Sequence, residues 1–391
     1  MAIPRVFSIP PSAPFLPTLI RAMCGGKLVP GFPGGSDPLA LAGVTLYLPT
    51  RRACRLARDS FLDVTGEPAA ILPRIVALGD VDEDEIAFAH AAAGDLAATE
   101  LDLPPALGEL ERRLLLAHLV RKWAAGIAPE ERGEVSLVAC NPVSAFALAD
   151  DLARLIDDMT TRAVPWQRLD RLVPENLDRY WQLTQQFLKI AREVWPSILA
   201  ERGAIEAAAR RDALIKAEAA RLLRAGDGPV IVAGSTGSMP STAELIATIA
   251  TLPHGAVVLP GLDTGLDERS WRLIAGGESG DERPVSPAVE HPQFAMHALL
   301  HRIGIGRDQV EELAPRSARE LYASEALRPA ASSERWGELA QSEFPVAAAL
   351  DAFSVIEAAN AEEEALAIAI ALREAVWSRV SGRRNLILIL G

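Results

Sequence analysis

The strongest constraint in this sequence is how far apart its strand-like runs lie. Val44-Thr45-Leu46-Tyr47-Leu48, bounded by Gly43 and Pro49, is a short, β-rich apolar run of the kind buried on both faces of a parallel sheet. The same grammar returns only much later. Pro229-Val230-Ile231-Val232-Ala233 leads into the turn Gly234-Ser235-Thr236-Gly237-Ser238, a helix over Thr242–Thr251 and a strand over Ala256–Leu259. Between them, Leu107–Leu223 carries helical periodicity and no strand signal. Val143, Ala147, Leu148, Leu152, Leu155, Ile156 and Met159 fall at helical spacing, as do Tyr180, Leu183, Phe187, Ala191, Val194 and Ile198. The pattern predicts an α/β domain with a parallel sheet, interrupted by an all-helical insertion that ends at Asp227-Gly228.

The flanking segments follow the same logic. Val6–Ile9 reads as a strand, Pro10, Pro11 and Pro14 as a turn, and Phe15–Met23 as a helix, before a Gly/Pro-rich connector from Gly25 to Pro38. Thr50 is the expected N-cap of a helix over Arg52–Phe61. Acidic residues Asp80–Glu85 suit the start of another helix, where negative charge complements the dipole. Gly276–Pro287 reads as a surface loop. A strand at Phe353–Glu357, a helix at Glu362–Ala375 and an apolar run at Leu386–Leu390 read as the start of a second α/β domain, truncated before it is complete. The expected boundaries are 1–106 and 227–349 for the two parts of the first domain, 107–226 for the helical insertion, and 350–391 for the second.

Composition narrows the function. The 391 residues are 49% hydrophobic and 23% charged, which is globular and argues against wholesale disorder. A formal charge of −13 argues against a free-standing nucleic-acid binder held by a broad basic surface. Three cysteines, Cys24, Cys54 and Cys140, stand too far apart for a disulfide scaffold or a paired zinc motif. No apolar run is long enough to span a bilayer, and the first residues lack a signal-peptide core, so a soluble cytoplasmic protein is expected. Lysine is scarce: Lys27, Lys122, Lys189 and Lys216 are followed by Leu28, Trp123, Ile190 and Ala217. No Gly-Lys-Ser/Thr step exists to hold nucleotide phosphates and Mg²⁺. Gly25, Val120, Phe187 and Leu214 stand two before the lysines, so the Asp/Glu-x-Lys element of many nucleases is missing too.

Two constellations could carry function. Arg51, Arg52, Arg55 and Arg58 share one helix face, and positive charge in a first turn opposes the dipole by ~0.3–1 kcal/mol, which points to phosphate or partner contact. The alternative is a solvated face, salt-bridged to Asp59 and Asp63. Gly234, Ser235, Thr236, Gly237 and Ser238 lie between a strand and a helix, where amides and hydroxyls can hold a phosphate or phosphosugar, although a plain turn is the commoner outcome. His297 and His301 have the spacing of paired metal ligands, but Ala298 stands where a zincin carries its glutamate, and no metal site is expected. Asp263 and Asp267 lack calcium-loop spacing.

The strings FSIPPSAPFLPTL, VTLYLPTRRACRLARDSFL, LPRIVALGDVDEDE, VIVAGSTGSMPSTAELIATIATLPHGAVVLPGLD and HPQF together resemble the AddB subunit of bacterial AddAB helicase–nucleases. The resemblance extends to about Arg373. It implies a RecA-like parallel-sheet domain of superfamily 1 helicase type, and a role in DNA double-strand break repair by homologous recombination. AddB proteins are longer, so the chain reads as their N-terminal portion, with the exonuclease domain and its cysteine-ligated iron–sulfur cluster expected only further along. The implied partners are the AddA subunit, which supplies the motor, and single-stranded or duplex-end DNA. By the same resemblance Ile9–Pro14 occupies the place of a P-loop, yet it has neither glycine nor lysine, and proline donates no N–H. Strand Val230–Ala233 should end in the Asp-Glu pair that holds Mg²⁺, and ends in Gly234-Ser235. The expected product is a non-catalytic, cofactor-free, helicase-like scaffold. The alternative is a small-molecule enzyme of phosphosugar-binding type built on Gly234–Ser238.

Overall fold

A computed structural model describes residues 4–32, 39–66, 71–78, 103–126, 141–170, 179–225, 228–279, 283–339, 346–351 and 355–380. In chain order the main elements are β1 (Val6–Ile9), α1 (Phe15–Cys24), β2 (Thr45–Leu48), α2 (Arg51–Thr65) and β3 (Arg74–Ala77). Then come α3 (Glu109–Gly126), α4 (Pro142–Thr161), α5 (Arg179–Lys189), α6 (Trp195–Glu201) and α7 (Ala207–Ala225). They are followed by β4 (Val230–Ala233), α8 (Pro240–Thr251), β5 (Gly255–Pro260), α9 (Glu268–Ile274), the pair β6 (Gly277–Ser279) and β7 (Arg283–Val285), and α10 (Phe294–Ile303). The remaining elements are β8 (Glu311–Glu312), α11 (Ala318–Ala326) and α12 (Ala361–Val380).

The fold is α/β, built on a six-stranded sheet in the order β3-β2-β4-β5-β1-β8 with every pairing parallel. β2 pairs directly with β4, Thr45 opposite Val230 and Tyr47 opposite Val232, so the two runs separated by the helical stretch are neighbours in one sheet. Side chains alternate across it as the strand period requires. Phe7, Ile9, Leu46, Leu48, Ile231, Ala233 and Val258 face α1 and α2. Val6, Tyr47, Val230, Val232, Val257 and Leu259 face α7, α8, α9 and α10. Ser8 is a buried hydroxyl among these apolar neighbours, and it accepts the Leu262 N–H at 3.0 Å.

The helical stretch has a core of its own. Asn141 caps α4 by accepting the Ser144 N–H at 2.8 Å, with Pro142 in the first turn. The buried seam of α4 is Ala145, Ala149, Leu152, Ile156 and Met159. Leu152, Ile156 and Met159 lie on the face expected from sequence, but in the first turns Ala145 and Ala149 are buried while Val143 is 79% exposed and Ala147 is also outside. Alanine at two seam positions lets α3 approach closely with Leu116, Ala117 and Val120. The second expected face drifts too. Ile190–Val194 forms a π turn between α5 and α6, which adds a residue to the turn and leaves Val194 outside and Trp195 inside. Helix α7, read as the end of the insertion, packs Ile215, Ala219 and Leu222 onto the sheet.

Where α7 meets the sheet, three polar groups are buried together. Arg221 donates to both oxygens of Glu218, from Nε at 2.8 Å and from Nη2 at 2.7 Å, and the Tyr47 hydroxyl also donates to Glu218. Burial raises the Glu218 carboxyl, but the Arg221 hydrogen bonds and charge, with the Tyr47 hydroxyl, outweigh it and hold it below the ordinary range. Burial and the Glu218 charge push the Tyr47 phenol well above its ordinary value.

Some expectations fail or fall elsewhere. The segment read as a loop at Gly276–Pro287 carries the antiparallel pair β6–β7 on either side of residues 280–282, which lie outside the described residues. Asp80–Glu85 and Leu386–Leu390 also lie outside them. Of Phe353–Glu357, Val355–Glu357 is exposed irregular backbone and not a strand; the helix after it forms as α12. Among the described residues, no helix is long and apolar enough to cross a membrane.

Candidate functional site

Because the strands are parallel, their carboxyl ends share one edge, where open α/β sheets bind ligands. The singled-out turns after β1 and β4, and the start of α2 after β2, all lie there. Thr50 is the predicted N-cap: it is extended, and its hydroxyl accepts the Ala53 N–H at 3.1 Å. Helix α2 starts one residue earlier than expected, at Arg51, and closes on Gly66 in the left-handed region (φ 70). Cys54, Ala57 and Phe61 are buried toward α1, which turns Arg51, Arg52, Arg55 and Arg58 to solvent. The four do not form a single line, as expected from their shared face. Arg51, Arg55 and Arg58 make one stripe, while Arg52 sits about 100° around the helix, in line with Leu56 and Asp59. Among the described residues, Arg52, Arg55 and Arg58 form no ion pair with Asp59 or Asp63.

The start of this helix touches the turn after β4. Gly234 (φ 79) is so placed that an added Cβ would lie 3.4 Å from Pro49 and 3.3 Å from Phe15 Cε1. At Gly237 (φ 67) a Cβ would lie 3.2 Å from both methyls of Leu299. Ser235 spends its hydroxyl on the turn itself, accepting the Gly237 N–H at 3.3 Å. The glycines of Gly234–Ser238 are therefore covered by apolar side chains.

The turn after β1 is filled in a different way. Pro11 lies over Gly261, where a Cβ would come within 3.0 Å of its Cγ. The Ser12 N–H, an amide of the kind that would meet a phosphate, donates to Glu320 Oε1 at 2.7 Å. The other oxygen of Glu320 accepts the Ser317 N–H at 2.6 Å and closes a capping box at the start of α11. The Glu320 carboxylate thus ties the turn after β1 to the start of α11. The capping box Ser317-x-x-Glu320 is readable in the sequence; its distant partner Ser12 is not.

The acids without calcium-loop spacing have local duties. Asp263 accepts the Gly265 and Leu266 amides, and Asp267 caps α9 at Ser270 while pairing with the buried Arg328. Among the described residues, no group of histidine, cysteine and acids could hold a metal ion. No family model matches this sequence, and no curated protein matches it.

One site has no counterpart in the sequence reading. A cleft of about 660 Å³ opens between α9, α10 and the segment around β8. Its floor is Trp271, Leu300 and Val310, and His297 and His301 stand on its α10 wall. The Arg307 guanidinium lies over the Trp271 ring, 4.7 Å from its centre, and the His297 ring packs beside that indole at 4.8 Å. Burial, with His301 and Arg307 nearby, pushes His297 below its ordinary value against the opposing pull of Glu268. The helical spacing of His297 and His301 is a sequence signal; the tryptophan and arginines that complete the cleft come from separate elements.

Proposed function

We propose that this chain is a helicase-like scaffold of the RecA-like, superfamily 1 type, without ATPase chemistry, that contacts the DNA backbone in an AddAB-type break-processing complex. In that role its partner is an AddA-type motor subunit. One observation carries the reading: the arginine stripe rises from the carboxyl end of β2, beside two turns whose phosphate positions are filled by Pro11, Phe15, Pro49 and Glu320. A protein that had kept nucleotide chemistry would leave those positions open to a phosphate. The parallel sheet with its long helical excursion supports the same layout. The apolar cover over Gly234 and Gly237 weighs against a phosphosugar there.

The reading predicts that Mg-ATP gives no heat of binding in calorimetry, since Ile9–Pro14 carries no lysine and β4 runs into Gly234-Ser235 in place of an acid pair; micromolar affinity would overturn the scaffold assignment. It also predicts weak, salt-sensitive binding to single-stranded DNA, since the net charge of −13 opposes association. The decisive measurement is fluorescence anisotropy of a labelled oligonucleotide at several salt concentrations. Each arginine removed from the Arg51, Arg55 and Arg58 stripe should lower the log–log salt slope by roughly 0.7 for a single strand. Arg52→Ala should do less, because Arg52 points away from the stripe. An Arg51→Ala/Arg55→Ala protein with unchanged affinity and slope would show the stripe to be solvated or partner-facing instead.

A further inference from the structure

We propose that the cleft between α9, α10 and β8 is a binding site for a small organic anion, with a carboxylate or phosphate head and an apolar body. Helices α9 and α10 cover the sheet face opposite α2, so this site is separate from the arginine stripe. The volume of about 660 Å³ falls within the roughly 300–1,000 Å³ of small-molecule sites. Its apolar floor, with Ile305 at the side, suits a ring or short alkyl body.

The head-group chemistry follows from how the charges are already used. Arg307 is fixed by the Trp271 ring and by donating from Nη1 to the Asp263 carbonyl at 2.9 Å. Its contact with Glu268 is loose, at 3.5 Å, and that carboxylate is mostly in solvent. Arg316 donates from Nε to Glu312 at 2.7 Å, and Glu312 also accepts the Thr264 hydroxyl. Among the described residues, the two Nη atoms of Arg316 make no hydrogen bond. One of them lies over Gly265, where an added Cβ would come within 2.5 Å. The acids of the cleft are thus engaged, or in the case of Glu268 and Asp308 exposed at its rim, while two pre-positioned guanidinium forks retain donors. A planar carboxylate or a phosphate matches a fork with paired hydrogen bonds. His297, half-buried on the α10 wall, adds a ring nitrogen to the lining.

The test is calorimetry on the full chain with phenyl phosphate, benzoate and inorganic phosphate. Phenyl phosphate or benzoate should bind one-to-one, and the tighter of the two identifies the head. Inorganic phosphate, which lacks the apolar body, should bind at least about tenfold more weakly. Arg316→Gln and Arg307→Gln should each weaken binding roughly tenfold, through loss of a charge-assisted hydrogen bond. Ile305→Trp fills the apolar part without changing charge and should abolish binding, so the test survives even if Arg307→Gln does not fold. Arg51→Ala/Arg55→Ala should leave it unchanged. The proposal is overturned if neither aromatic anion binds at millimolar concentration, or if binding persists in both Arg316→Gln and Ile305→Trp.

Discussion

Gly255→Ala is expected to lose roughly 3 kcal/mol of stability or more, a large share of a typical total of about 5–15 kcal/mol. Gly255 opens β5 immediately after the turn from α8, and a Cβ there would stand 1.8 Å from the Ile249 carbonyl oxygen. That obstacle is backbone within a helix, so no rotamer change can relieve it. The helix would have to move, and with it Ile246, Ile249 and Ala250, all buried against the sheet. Gly126→Ala is the control, because a Cβ at Gly126 meets nothing within 4 Å. Urea unfolding of the two variants decides the matter. Equal midpoints would mean that the α8–β5 turn is far softer than its packing implies.

The second large effect concerns Glu218. Replacing it with alanine leaves Arg221 buried without its partner, and breaking a buried ion pair in this way costs about 3–5 kcal/mol. Replacing Tyr47, Glu218 and Arg221 together by Phe, Leu and Met should recover most of that loss, since the expense lies in the unpaired charge and not in the absence of polarity. The sign of the acid dependence follows from the lowered carboxyl. Glu218 stabilises the fold above its ordinary titration range, and that contribution disappears as pH falls through the lower value it holds when folded. Unfolding midpoints measured between about pH 6 and pH 3 should therefore fall less steeply for Glu218→Gln than for the parent. Parallel slopes would show that other carboxylates govern acid sensitivity.

The buried strands were legible because each carries its own signal. Val6–Ile9 and Val230–Ala233 form as expected, and Val44–Leu48 loses only Val44. What escaped was set by distant contacts. β8 consists of two glutamates, and nothing in Glu311-Glu312 marks a strand; it forms because Phe7 and Ser8 offer a free edge, extended by the Leu313 N–H donating to the Ser8 carbonyl at 2.9 Å. Only the start of the α4 seam was misplaced, because Val143 scores as apolar while Ala145 and Ala149 hardly do, yet close helix approach favours the small residues. At the candidate site, the common stripe of Arg51, Arg55 and Arg58 on α2 was readable from spacing, whereas Arg52 stands off it. The carboxylate of Glu320 against Ser12 was not, because the two lie 308 residues apart.

The order of strands in the sheet also sets a timetable for synthesis. β1 is made before the other strands of its sheet, but its partner β5 follows some 250 residues later, as the Arg5–Gly255 contact records. At about 5–20 residues per second, the nascent strand waits roughly 10–50 s for its neighbour. During that interval Phe7 and Ile9 have no sheet to enter, and β2 can pair only with β3. Helices α3 to α6, which share a core of their own, can close it well before the sheet exists. The last step is then the docking of two strand sets around a preformed helical block. Closing so long a loop costs little more than closing a short one, because the entropy grows only with the logarithm of length. The burden of this architecture therefore falls first on the waiting strands during translation.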